Sequence, residues 1–376
     1  MNKIYKNVIG ILSLSVVLVA CKKDKEEEEV MCIPDNGHVT QFYSSVGSTT
    51  TPSFTEIVGA GNQVNSPQDL DFHPSSSRQN ELWILNKGVQ NTGSSTVTIS
   101  NAGKTGQSSV WRRDGNAWHF MSLSTALAFS SENENFATSP GVYDANHNGG
   151  APFTGPALWS SNMSIYAQPS GGNGSHLDML HESPYCMGIA HERDNIFWVF
   201  DGDASQIVKY DFKSDHGPGN SNHDDGEVDR YIGISVTRKV NVPSHMVIDK
   251  NTDWLYICDT GGKRILRMKV NSGTKKRDLP LLYEVLGRRR EMENPVWEVF
   301  ANTDLVDPCG IDVIGNRLFV SDNSTNKIIA YRLDTKEELA RIQTTATSIK
   351  GIKVGPEGKL WYVDYSANKV MRVDPI

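Results

Sequence analysis

Residues able to do chemistry stand at matching places along this chain. Short apolar segments begin near Pro67, Ser124, Pro184, Pro243, Pro308 and Ile349, and aligning them puts Asp69, Ala126, Cys186, His245, Gly310 and Gly351 in one column. The preceding column holds Gln68, Thr125, Tyr185, Ser244, Cys309 and Lys350, and His181 and Glu182 lie just upstream of the third segment. An acid (Asp69), an imidazole (His245), a thiol (Cys186), a phenol (Tyr185) and an amine (Lys350) in one place would mix proton donors, acceptors and metal ligands. These five, with His181, are the candidate ligand-binding residues. A zinc site normally needs three protein ligands and a water, and His181, Cys186 and His245 are the set that could supply them. The bland alternative is that small and polar residues line any water-filled channel.

A second cluster crowds oxygen ligands into one stretch: Asp215, Asn220, Asn222, Asp224, Asp225, Glu227 and Asp229. Calcium accepts such a composition, although glycine falls at 226 where an EF-hand loop would require it at 225. His216 and His223 in the same stretch bring a transition metal within reach, and a solvated polar loop is the plainer reading. Zinc and calcium are therefore the ions to look for. No Gly-x-Ser-x-Gly turn and no phosphate-cradling glycine loop occurs.

The elements that must position these residues are internal copies. Each opening segment is followed by a second: ELWILN at Glu81, NFATSP at Asn135, IFWVFD at Ile196, WLYICD at Trp254, RLFVSD at Arg317 and KLWYVD at Lys359. Third strands read at Thr96, Ile207, Ile265, Lys327 and Lys369, with one near Ser164 in the second copy. Such a sheet cannot bury both its faces alone. Six copies predict an all-β chain, a six-bladed β-propeller of four-stranded antiparallel blades, which hides its sheet edges by radial repetition. The sixth copy lacks an outer strand, so Phe54–Val58 is expected to close the ring beside 369–373.

WLYICDTGGKRILRMKV, RLFVSDNSTNKIIAYRL and KLWYVDYSANKVMRVD resemble the signature of NHL-repeat propellers: an aromatic and aliphatic strand, an aspartate, a polar turn, then a basic residue and another strand. The resemblance runs from about Phe54 to the end and is weakest in the second copy. It implies the fold and says little of function. Lyases of similar repeat type hold zinc with several histidines at the strand heads, where this chain has His245; gluconolactonase-like propellers use an acidic and amide set, where it has Asp69. The repeated Asp201, Asp259, Asp322 and Asp364 read as acceptors for turn N–H groups, and Trp83, Trp198 and Trp254 as packing between blades.

Residues 1–20 carry Lys3 and Lys6 before an apolar run, the pattern of a signal peptide. Leu18-Val19-Ala20-Cys21 resembles a bacterial lipobox, which implies lipidation of Cys21, a palmitate-type anchor holding the chain to a membrane without a transmembrane span. The charged KKDKEEEE run within a tether at 21–40 resembles a signal for export to the outer membrane surface, leaving 41–376 as the propeller. The periplasmic or cell-surface face of the outer membrane is the expected location.

The formal charge of −7 falls to about −9 once Lys3 and Lys6 are removed, and no basic cluster would draw a phosphate backbone, so nucleic acid is not an expected partner. Cys32, Cys186, Cys258 and Cys309 would remain; Cys258 and Cys309 could meet between adjacent sheets, and Cys186 and Cys258 read equally as buried hydrophobes. Three stretches depart from the repeat: 139–156, 213–229 and 271–294, and in a repeat fold such insertions are where binding tends to sit. Blade geometry places the first on the face where the inner strands begin, and the second on the opposite face. The expected function is binding of a small molecule, glycan or protein partner at the channel mouth and these loops. A metal-dependent lyase or hydrolase and a scaffold subunit of an outer-membrane complex are the alternatives.

Overall fold

The computed structural model describes residues 52–168, 173–220 and 222–374. The chain divides into residues 1–33 and a compact unit, 34–376, and every described residue lies in the second. The expected signal peptide, Cys21, the tether and Cys32 lie outside the described residues.

Period-two alternation produces short strands, and the strands assemble into six sheets. From the channel outward, blade 1 is Pro67–Phe72, Leu82–Val89, Gly93–Ser100 and Ser108–Arg112; blade 2 is Leu127–Phe129, Phe136–Thr138, Ala157–Trp159 and His176–Met179. Blade 3 opens with Cys186–Arg193, Ile196–Asp201, Gln206–Asp211 and Glu227–Tyr231; blade 4 is Met246–Asp249, Trp254–Asp259, Arg264–Lys269 and Trp297–Ala301. Blade 5 is Pro308–Ile314, Arg317–Asp322, Lys327–Arg332 and Glu338–Gln343. Blade 6 is Ile349–Val354, Leu360–Asp364 and Lys369–Asp374, completed by Ser53–Val58 from the other end of the chain. The innermost strands of blades 1 to 6 touch in succession, and that of blade 6 touches that of blade 1, so the ring is closed. Among the described residues no helix is long and apolar enough to cross a membrane.

Six apolar clusters hold the ring, one at each junction between neighbouring blades. Trp83 of blade 1 packs against Phe129 and Phe136 of blade 2 with ring centroids 5.6 and 5.0 Å apart. Trp198 occupies the junction of blades 3 and 4 and is fully buried. Burying one such side chain stabilises the ring by roughly 1.5–3 kcal/mol. The repeated aspartates do the work expected of them. Asp322 accepts from the N–H groups of Val306, Asp307 and Thr325, and Asp364 from those of Thr347, Ser348 and Ala367, tying the turn after the second strand to the segment that leads into the blade.

Three readings change. The third strand of blade 2 is Ala157–Trp159, not a segment near Ser164, because the insertion at 139–156 displaces it along the chain. The insertion at 271–294 is not a loop: Thr274–Asp278 and Arg288–Glu293 form a hairpin, and the latter pairs in parallel with Glu227–Tyr231, making blade 3 six-stranded. Its arginines are neutralised there, Arg288 by Glu227 at 2.7 Å, Arg290 by Asp229 at 2.6 Å and Arg289 by Glu182 at 2.7 Å. Cys186, Cys258 and Cys309 are all free and buried, so the Cys258–Cys309 bridge does not form.

Candidate functional site

The strand-head residues fall into separate groups. Asp69 and His245 meet inside the channel, with Asp69 Oδ1 3.5 Å from His245 Nδ1. Asp69 Oδ2 accepts from Leu127 N–H at 3.0 Å, which staples blade 1 to blade 2, and His245 Nε2 reaches the Thr125 carbonyl at 2.9 Å. Burial raises the Asp69 carboxyl well above the usual carboxylate range despite its backbone bonds. Burial also lowers His245 to about 4, against the pull of the Thr125 carbonyl. Both effects favour the uncharged forms, so this approach is a neutral contact and not an ion pair.

Lys350 closes the channel at the end where the inner strands begin, here called the upper face. Its Nζ donates to Gln68 Oε1 at 2.9 Å and the Asn241 carbonyl at 3.1 Å, and sits 3.6 Å from the centroid of the Tyr365 ring. Burial lowers it to about 7, and the Lys87 charge acts in the same direction. Below it the channel widens into a cavity of about 280 Å³ that Asp69 and His245 line. Lys353 lies there 3.1 Å from Asp71 and 3.5 Å from Asp312. Those carboxylates also accept from Phe129 N–H and Val354 N–H on the next blades, so the cavity charges are engaged in holding the ring.

Cys186 does not join this group. Cys186 pairs with Asp201 as Pro308 does with Asp322 and Ile349 with Asp364, each just before the same bulge, so it stands two residues ahead of the channel column and Gly188 takes the place that Gly310 holds in blade 5. A Cβ at Gly188 would collide with the Ser244 carbonyl oxygen, so glycine is what lets the two inner strands approach. The Cys186 thiol donates to the Ser183 carbonyl at 3.0 Å within the core between blades 2 and 3, where burial raises it far above the usual thiol range. His181 also lies elsewhere, its Nδ1 3.1 Å from Glu284 Oε2 and its Nε2 3.3 Å from His119 Nε2. The zinc set of His181, Cys186 and His245 is therefore not assembled. Nor do the oxygen ligands expected to suit calcium converge: Glu227 and Asp229 pair with arginines, and Asp215 and Asn222 cap their own turns.

Tyr185 leads to a feature that sequence reasoning missed. Its ring lies under the Arg238 guanidinium at 3.8 Å and 5.6 Å from the Tyr143 ring, on the upper face. The insertion at 139–156 is anchored on that face as expected, with Gly141 N–H bonded to Ser122, and the Val142 carbonyl accepting from Tyr185. It also delivers Phe153, which stacks on His181 with centroids 3.8 Å apart and planes at 9°, and meets Tyr283 edge-on at 5.6 Å. His119 and Trp118, from the single helical turn Ala117–Phe120, continue the series, with Trp118 6.0 Å from His147. Tyr143, Tyr283 and Trp118 are exposed, as are Leu281, Leu282 and Val285 beside Tyr283. Half of the twelve exposed large apolar residues among the described residues thus belong to these few segments, a concentration beyond the isolated apolar residues usual on a monomer. The signal in the sequence was aromatic residues inside insertions, which no core position explains.

No protein-family model matches the chain, and no curated protein does. Solved structures do. An auxiliary nutrient binding protein from Bacteroides ovatus is 12% identical, with 86% of this chain and 76% of that chain covered at a TM-score of 0.54. A catalytically inactive virginiamycin B lyase from Staphylococcus aureus, with quinupristin, is 14% identical over 85% of each chain at 0.51. A luciferin-regenerating enzyme is 11% identical over 86% of this chain and 95% of that chain at 0.52. Binding proteins and enzymes share the architecture, and at these identities the likeness concerns the fold.

Proposed function

We propose that this chain is a lipid-anchored extracytoplasmic binding propeller whose ligand is a glycan taken up on the upper face. The observation that carries this reading is two sets of rings on that face, Tyr185 with Tyr143, and Tyr283 through Phe153 and His119 to Trp118. Exposed ring faces cover the apolar C–H face of a sugar, and polar groups beside them, the exposed Asn146 on the same insertion and Arg238 over Tyr185, could take its hydroxyls. The Bacteroides ovatus structure with the same fold is described as an auxiliary nutrient binding protein, and a nutrient ligand is in keeping with this reading. Anchoring through Cys21 on the outer membrane would hold such a platform toward the surroundings.

A protein partner is the second reading, favoured by the exposed aliphatic Leu281, Leu282 and Val285 that flank the rings. Catalysis by the channel groups is less supported, because Asp69, His245 and Lys353 already have partners within the ring. The test is a glycan array and titration calorimetry on wild type, Tyr143→Ala and Tyr283→Ala. Retention of a glycan by wild type and loss of roughly 1–3 kcal/mol per ring would support the reading, by the usual contribution of an aromatic anchor. Absence of glycan binding, or binding indifferent to both substitutions, would refute it.

A further inference from the structure

A histidine and carboxylate cluster lies on the flank of blade 2, away from the channel and independent of the glycan reading. Asp178 sits in the outer strand of blade 2, and the insertion after the third strand of blade 3 folds across it. Gly219 N–H bonds the His176 carbonyl at 2.8 Å, and Asn220 holds the His216 carbonyl at 3.0 Å, which fixes the insertion over that strand. The Asp178 side chain is completely buried. Its Oδ1 accepts from Met179 N–H and from His223 Nδ1. Its Oδ2 is buried without a hydrogen-bond partner and faces His216 Nε2 at 4.0 Å, too far for a hydrogen bond. His216 Nε2 in turn lies 2.7 Å from Asp225 Oδ1. One ligand atom from each of Asp178, His216 and Asp225 falls within 4.8 Å of the other two, the one such group of three or more among the described residues.

We propose that Asp178 Oδ2, His216 Nε2 and Asp225 bind a divalent transition metal of the zinc class, with His223 holding Asp178 in place from behind. A buried carboxylate oxygen without a protein partner carries a substantial penalty, and a cation removes it. Two zinc bonds of about 2.0–2.2 Å span about 4 Å at most, so the Asp178 to His216 gap closes on a zinc with a small adjustment. The ion takes the place of the hydrogen bond between His216 Nε2 and Asp225 Oδ1. One imidazole and two carboxylates leave a fourth position for water, and imidazole favours zinc over calcium, which prefers six to eight oxygens. The His223 bond to the far oxygen of Asp178 is the kind of outer support that orients a ligating carboxylate.

The experiment uses the mature chain without an affinity tag, loaded with zinc, passed through gel filtration and analysed for metal. Wild type is expected to retain one zinc per chain. Asp225→Asn, in a partly exposed loop where folding is not at stake, and Asp178→Asn should each lose it, and His223→Gln should weaken binding by roughly 10–100-fold. His147→Ala, outside the cluster, should keep it. Circular dichroism identifies any variant that has unfolded. No zinc on wild type, zinc undiminished in Asp225→Asn, or loss in His147→Ala overturns the assignment, as does displacement by an equal concentration of calcium.

Discussion

Replacing Lys350 by methionine isolates the residue that closes the upper end of the channel. Unfolded, the amine titrates at about 10.5; folded, burial lowers it to about 7, with Lys87 adding to the effect and Cys309 opposing it. Between those values the unfolded chain holds a proton that the folded chain has released, so wild-type stability rises with pH across that window. A difference of about 3.5 units at about 1.36 kcal/mol each puts the penalty near 5 kcal/mol below pH 7. Raising pH from about 6.5 to about 8.5 should relieve about 2 kcal/mol of it, by the same linkage. Methionine keeps the aliphatic stem and has no proton to lose, but it leaves the buried Gln68 carbonyl without its donor, at about 1–2 kcal/mol. That loss does not depend on pH. Urea unfolding followed by tryptophan fluorescence at both pH values should therefore show the variant gaining on wild type by about 2 kcal/mol at the lower pH. Parallel pH dependence of the two proteins would show that Lys350 titrates as in water and does not seal the channel.

Two further outcomes follow from the packing. Deleting Ser53–Val58 removes the outer strand of blade 6, the buried Val58 and the pairing with Lys369–Asp374; about 2 kcal/mol for the valine and about 1 for each of several backbone bonds should lower Tm by roughly 10 °C in calorimetry, and an unchanged melt would mean that the ring closes otherwise. Asp322→Ala leaves the N–H groups of Val306, Asp307 and Thr325 without their acceptor in a fully buried site; chemical denaturation should register a loss of roughly 2–4 kcal/mol, and a loss below about 1 would show that water replaces the carboxylate.

The ring was legible because its determinants are local and repeated. The second strands ending in Asp201, Asp259, Asp322 and Asp364 announce themselves by alternation and a turn, and the missing outer strand of the sixth copy pointed to Phe54–Val58. Register at the strand heads was not, since PYCMGI aligns with PCGIDV in the sequence only by its proline, whereas the pairing with the second strand sets Cys186 level with Pro308 and puts Gly188 in the channel column. The hairpin at 274–293 was hidden for a similar reason: it belongs in sequence to blade 4 and pairs with blade 3. His216 and His223 were visible as metal-capable residues, but their partner Asp178 lies about forty residues upstream in an ordinary-looking strand. The ring series draws on residues from Trp118 to Tyr283, so only the folded chain brings it together.

The most direct test of the binding account is a crystal of the protein soaked with an oligosaccharide retained on the array. Sugar density stacked on Tyr143, Tyr283 and Trp118 of the upper face is the predicted result. Sugar held only in the cavity beside Asp71 and Lys353, with those rings uncovered, would contradict it.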